Sequence, residues 1–255
     1  MRSENSLTIV TGCDSTHARS LLNLLASAKT HEPETRVIIY DLGMTNFQLR
    51  RLARKFKYEV RKFDYLKYPA YFNIKIDAGE YAWKPVIVAE VAEEFGGIIC
   101  WMDSGNVIVE SLQKIVQQTL TTGLYLVGSG GTIGQWTHSQ MLSFFDLPFD
   151  WKSEHEMLAA YCVGFNMNNV HAKNIAKDWA KFALQQKCIA PPGSSRANHR
   201  QDQALLAVLV GRSTEVPFEF DMQRPFMAQQ DADFLYNPIL YFKRRLKKYL
   251  SQMEN

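Results

Sequence analysis

The sequence has no stretch approaching the ~18 consecutive apolar residues that a membrane-spanning helix needs. Its N-terminus, MRSENSLTIV, carries neither a basic leader nor an apolar signal region, which predicts a soluble chain that stays in the cytoplasm. Cysteine is sparse: Cys13, Cys100, Cys162 and Cys188 stand far apart with no CxxC pair. That spacing argues against a zinc site or a disulfide framework and suits a reducing compartment. Strong charge is also missing, since a formal net charge of +3 over 255 residues gives no reason to expect nucleic acid as a partner. The glycine-rich Gly128-Ser129-Gly130-Gly131 lacks the GK[ST] ending of a phosphate-binding P-loop and reads instead as a flexible lid or a close approach to substrate.

What is present is an alternation of short apolar runs with amphipathic segments. Residues 6–11 (SLTIVT), 36–41 (RVIIYD), 58–63 (YEVRKF), 98–102 (IICWM), 124–127 and 162–167 (CVGFNM) read as strands. Between them, residues 47–56, 85–95, 110–122, 135–145, 154–159 and 171–186 read as helices, and Leu21, Leu22, Leu24, Leu25 and Ala28 mark another. Pro85 is expected at the first helical position and Gly96-Gly97 at the helix end. Residues 64–79 and 188–198 are expected as loops, the second with little regular structure. The alternation predicts an α/β fold with a mostly parallel central sheet flanked by helices.

In an open α/β sheet, ligands bind beyond the carboxyl ends of the strands. Asp103, the first charge after the apolar run 98–102, is therefore expected to face a crevice. Thr11, Cys13 and Asp14 close the first strand and are candidates for ligand contact, with plain turn chemistry as the alternative. The arginines and lysines of 47–56 read as a solvated face. His199-Arg200-Gln201-Asp202-Gln203 opens an apolar helix; Asp202 suits a helix N-terminus through the dipole alone, and equally suits a site.

The ordered pieces TGCD, VIIYDLGMT, YAWKP, IICWMDSGNVIVESL and HRQDQALLAVL resemble GT-A-fold glycosyltransferases. They resemble particularly family 8 and a group carrying WKP, W-x-DS and HR-x-DQ motifs, over roughly residues 7–212. The resemblance implies a GT-A-like fold and a nucleotide-sugar donor, a UDP-sugar in the first instance. It implies a glycan or glycolipid acceptor such as a lipopolysaccharide precursor. It places Thr11, Gly12, Cys13, Asp14, Trp83, Lys84, Ser104 and Arg200 at the donor, His199 at the acceptor, and Asp103, Asp202 and Gln203 at the transferred sugar. A divalent metal, manganese or magnesium, would sit on Asp103, although Gly105 stands where a DxD motif has its second aspartate. With the metal absent, Lys84 would neutralise phosphate directly, or else lie exposed at a helix start; Trp83 would pack. A nucleotidyltransferase and an inactive nucleotide-sugar-binding module stay open; the first normally wants a basic glycine-rich loop, where GCDSTHAR supplies only Arg19.

One catalytic domain over 1–236 is expected, with a nucleotide-binding part at about 6–110 and an acceptor part at about 111–236. The basic amphipathic stretch 237–250 (NPILYFKRRLKKYL) is expected to form a helix lying on an anionic membrane surface, which would place the protein on the inner face of the membrane; docking on the domain is the alternative.

Overall fold

The computed structural model describes residues 5–213 and 224–230, so the basic stretch 237–250 lies outside the described residues. In chain order the elements are β1 (Leu7–Asp14), α1 (Ala18–His31), β2 (Arg36–Gly43), α2 (Asn46–Lys55), β3 (Glu59–Lys62), α3 (Trp83–Phe95), β4 (Ile98–Met102) and β5 (Val107–Ile108). They continue with α4 (Gln113–Thr122), β6 (Leu124–Thr132), α5 (Ile133–Trp136), α6 (Ser139–Phe144), β7 (Glu156–Asn166), α7 (Val170–Ala183), α8 (Gln186–Ile189), α9 (Gln201–Arg212) and β8 (Phe226–Met227).

Six strands form one mostly parallel sheet in the order β3-β2-β1-β4-β7-β6. β3, β2, β1 and β4 run parallel, whereas β7 pairs antiparallel with both β4 and β6. A separate short antiparallel pair joins β5 to β8.

Strand side chains alternate between two cores because successive Cβ atoms point to opposite faces. Val10, Ile38, Ile99 and Trp101 face a core shared with residues of α3, α7 and α9. Ile9, Val37, Ile39, Cys100 and Met102 face the other, with Leu21, Leu25 and Ile115 from α1 and α4. A sheet covered on both faces explains why β4 is an unbroken apolar run, every residue of it buried.

Four local expectations change. Residues 154–159 do not form a helix; β7 opens at Glu156, because Glu156, Leu158 and Ala159 pair with Thr132, Gly128 and Val127 of β6 and the apolar run continues without a helical break. The glycines at 128–131 are the bulged end of β6, with the register shifting between Gly128 and Thr132. Helix α3 starts at Trp83, so Pro85 falls third in its first turn, where its missing N–H still costs no intrahelical bond. Segment 135–145 splits into α5 and α6 around Thr137. All four cysteines are buried, and the Cys100 and Cys162 sulfurs lie 3.9 Å apart in neighbouring strands.

Candidate functional site

Asp103 follows β4 directly and is held at the strand end by its neighbour strand: its N–H donates to the Tyr161 carbonyl at 2.8 Å. A tight turn follows, closed by the Asn106 N–H on the Asp103 carbonyl at 2.9 Å, and the Asn106 side-chain amide returns to the same Tyr161 carbonyl. Trp101, two residues earlier and therefore on the same face of the strand, donates its indole N–H to Asp103 Oδ1 at 2.6 Å.

Lys84 meets Asp103 from the first turn of α3. The ammonium is 3 % exposed and lies 3.1 Å from Asp103 Oδ1 and 2.9 Å from Asp202 Oδ2, while it donates to the Ala160 carbonyl at 2.9 Å. The expected alternative of an exposed lysine does not hold. Contact with Asp202 is an ion pair at 2.9 Å, and among the described residues Asp202 Oδ2 has no further partner. Three elements thus converge on one cation: α3, the end of β4 and the start of α9.

Burial governs the charges here. It pushes the Asp202 carboxyl up to about 6, against the opposing pull of Lys84. For Lys84 burial acts downward, but the two carboxylates outweigh it and hold the ammonium firmly charged. An unpaired buried cation would be strongly unfavourable, so the cluster is mutually obligatory.

Gly12 lies behind this cluster, and a Cβ there would come within 3.0 Å of Leu42 and 3.1 Å of Trp101. Its role in the structure is to let Trp83 and Trp101 pack, the two rings being 5.8 Å apart. Trp83 is buried and donates to the Ala78 carbonyl at 2.9 Å, as a packing residue would. Thr11 and Cys13 are buried too, and among the described residues the Thr11 hydroxyl has no hydrogen-bond partner. Asp14 is clamped by its own turn: the Thr16 hydroxyl donates to it at 2.8 Å and the His17 ring lies 2.9 Å away. Burial raises its pKa, but the His17 and Thr16 hydrogen bonds together prevail and hold the carboxyl below its usual value. Ser104 is buried beside Asp103.

On α9, Gln203 donates to the Ser129 hydroxyl at 3.0 Å, which ties the helix start to the glycine-rich end of β6. His199 is wholly buried and both ring nitrogens are committed to backbone: the His138 N–H reaches Nδ1 at 3.2 Å, and Nε2 donates to the Ile189 carbonyl at 3.0 Å. Burial lowers its pKa to about 4, so it is neutral and anchors the loop; no part of it is presented to an acceptor. Arg200 lies with its guanidinium 3.9 Å over the Trp136 ring.

Tyr81, not singled out by the sequence reading, also borders the cluster. Lys84 Nζ sits 5.7 Å from its ring centroid, and the charges of Arg196, Asp202, Lys84 and Asp103 all act on its hydroxyl. Asp77 to Tyr81 all have left-handed φ, from 44° to 64°. Each non-glycine residue in that conformation costs about 1–2 kcal/mol, so the turn is strained where it presents Tyr81. Gly79 is indispensable in it, because a Cβ would lie 2.3 Å from the Phe72 carbonyl oxygen. The only sequence signal for Tyr81 was its place just before the WKP motif.

The donor set fits a divalent metal poorly. Asp103 Oδ1 is already shared by an indole N–H and an ammonium, Gly105 has no side chain, and among the described residues no group of three or more His, Cys, Asp or Glu side chains converges. One aspartate with a single oxygen free of Lys84 and Trp101 falls short of the several oxygen ligands that manganese or magnesium takes.

A family model described as a protein of unknown function (DUF1647) matches residues 1–89. No curated protein matches the sequence. Among solved structures, the bifunctional glycosyltransferase WbbM in its apo form aligns over 82% of this chain at 12% identity, with a TM-score of 0.49. The chain spans only 38% of WbbM. The galactosyltransferase LgtC in complex with donor and acceptor sugar analogs aligns over 79% of this chain and 70% of its own, at 17% identity and a TM-score of 0.48. An active-site mutant of LgtC aligns over 79% and 69%, at 16% identity and a TM-score of 0.50. The likeness is one of fold: a mixed α/β architecture of the GT-A glycosyltransferase kind.

Proposed function

We propose that the protein is a glycosyltransferase that moves a sugar from a nucleotide-sugar donor, a UDP-sugar in the first instance, to a glycan or glycolipid acceptor. The observation that carries this reading is the buried Lys84 cation bridging Asp103 and Asp202 at the carboxyl end of the sheet. The GT-A type of fold supports it, since that edge is where such a sheet binds ligands.

In this reading the nucleotide lies along the ends of β1 and β4, near Asp14 and Asp103. The transferred sugar lies over the start of α9, between Asp202 and Gln203. The acceptor oxygen forms a bond to the anomeric carbon, and the bond from that carbon to the diphosphate oxygen breaks with its electron pair leaving on the diphosphate. Asp202, with its carboxyl near 6, takes the acceptor's proton, because a base works best when its pKa approaches the operating pH. Asp103 holds Lys84 and, through it, Asp202 in place, and offers its second oxygen to a donor hydroxyl. Gln203, fixed by Ser129, faces the anomeric carbon.

The test is donor turnover by the purified protein against a panel of nucleotide sugars. Release of nucleoside diphosphate that stops in Asp202→Asn is the expected result. Release of pyrophosphate would mark a nucleotidyltransferase, and donor binding without turnover an inactive module. In either case the reading fails.

A further inference from the structure

Lys84 has little left to offer an incoming diphosphate. Its ammonium is already surrounded by Asp103, Asp202 and the Ala160 carbonyl, and with both aspartates ionised the cluster carries more negative charge than positive. A departing nucleoside diphosphate would meet repulsion from it, and the donor set above suits a metal poorly. Positive charge for that step must come from another part of the chain.

The loop leading into α9 holds it. Arg196 is exposed and donates to the Tyr81 hydroxyl at 2.8 Å, with its guanidinium 5.4 Å from that ring's centroid. Arg200 is half-buried on Trp136. Burial lowers its pKa, and so does the Arg196 charge, which shows that the two guanidiniums feel each other. The Tyr81 ring touches both groups, with the Arg196 guanidinium 5.4 Å and Lys84 Nζ 5.7 Å from its centroid. Among the described residues neither arginine has a carboxylate within ion-pair distance, whereas Arg61 on β3 pairs with both Glu59 and Glu94. Two cations four residues apart on one loop, each seated on an aromatic ring and with no carboxylate at ion-pair distance among the described residues, form a receptor for an anion. The backbone that builds it is strained on the Tyr81 side and pinned by buried His199 on the other.

We propose that Arg196 and Arg200 bind the diphosphate of the nucleotide donor and stabilise the charge on the departing group, so that transfer proceeds without a divalent metal. This rests on the glycosyltransferase reading and assigns its leaving-group site. Guanidinium forks match phosphate oxygens in geometry, and two of them offset the charge that the lost carboxylate of a DxD pair would otherwise have offset through a metal.

The experiment is calorimetric titration of the full chain with UDP, GDP, inorganic pyrophosphate and uridine, in EDTA and then in manganese. Wild type is compared with Arg196→Ala and Arg200→Ala. The expected result is diphosphate binding in EDTA that each substitution weakens by roughly tenfold or more, for nucleotide and pyrophosphate alike, with unchanged melting temperature for Arg196→Ala. Diphosphate binding that requires manganese, or that survives both substitutions, overturns the inference while leaving the glycosyltransferase reading standing. Variants that bind UDP normally but show a raised KM for an acidic acceptor overturn it too, and reassign the arginines to that acceptor. Failure of wild type to bind any diphosphate overturns both.

Discussion

Asp14 and Asp103 close neighbouring strands at the same edge of the sheet, yet they are held in opposite ways. Among the described residues, the Asp14 side chain is hydrogen-bonded within its own turn, to Thr16 and His17. The Asp103 carboxylate is held instead by Lys84, from a separate helix, and by Trp101, and its backbone by Tyr161 of an antiparallel strand. A carboxylate clamped by its own turn would be there in an isolated peptide. One clamped from three elements exists only after the chain has folded, and that is what a catalytic arrangement requires.

The comparison breaks most severely at Lys84. Lys84→Met should cost about 3–5 kcal/mol of stability in urea unfolding, because it leaves Asp202 buried without its cation. Adding Asp202→Asn should restore much of that loss; a double variant as unstable as the single one would mean that the buried pair is not coupled.

Next come the two aspartates themselves. Asp103→Ala should lower kcat/KM by about 10²–10³ with the fold intact, since its side chain is 40% exposed. Asp14→Ala should cost less than about tenfold, mostly through donor KM, because its neighbours satisfy one another. Equal losses at the two positions would erase the distinction between local and long-range clamping.

A smaller effect is readable in pH. Burial lifts the folded Asp202 carboxyl to about 6 from an ordinary 3.8, so its contribution to stability is fully present below the lower value and lost as pH rises through the higher. His199 has a folded pKa of about 4 against 6.5, so its contribution is present above 6.5 and lost as pH falls through 4. The two oppose each other between these limits. Melting temperatures from pH 4 to 7 should therefore rise more steeply with pH in Asp202→Asn than in wild type, and less steeply in His199→Gln. Parallel curves for all three would show that neither group titrates as assigned.

The smallest effect is the stability change in Asp14→Asn, which keeps one oxygen for Thr16. It should stay within about 1 kcal/mol of wild type by urea unfolding, as for a surface turn hydrogen bond.

The sequence by itself determined the strands β1, β2 and β4, the helices α1, α2 and α7, and the place of Asp103, because apolar runs and helical spacing are local properties that record which faces are buried. Asp103 was legible as the first charge after a run with no polar residue. The pairing of Asp202 with the same region was suggested by motif, but Lys84 as their common buried cation was not, since nothing in WKP tells whether its lysine points outward or inward. Residues 154–159 misled for the same reason: their composition suits a helix, and only the strands on either side of β7 decide otherwise. The left-handed turn before Trp83, the burial of His199 and the meeting of Arg196 with Tyr81 belong wholly to the tertiary structure. Each depends on contacts between separate segments, up to 115 residues apart for Arg196 and Tyr81, and a local pattern holds no record of what will pack against it.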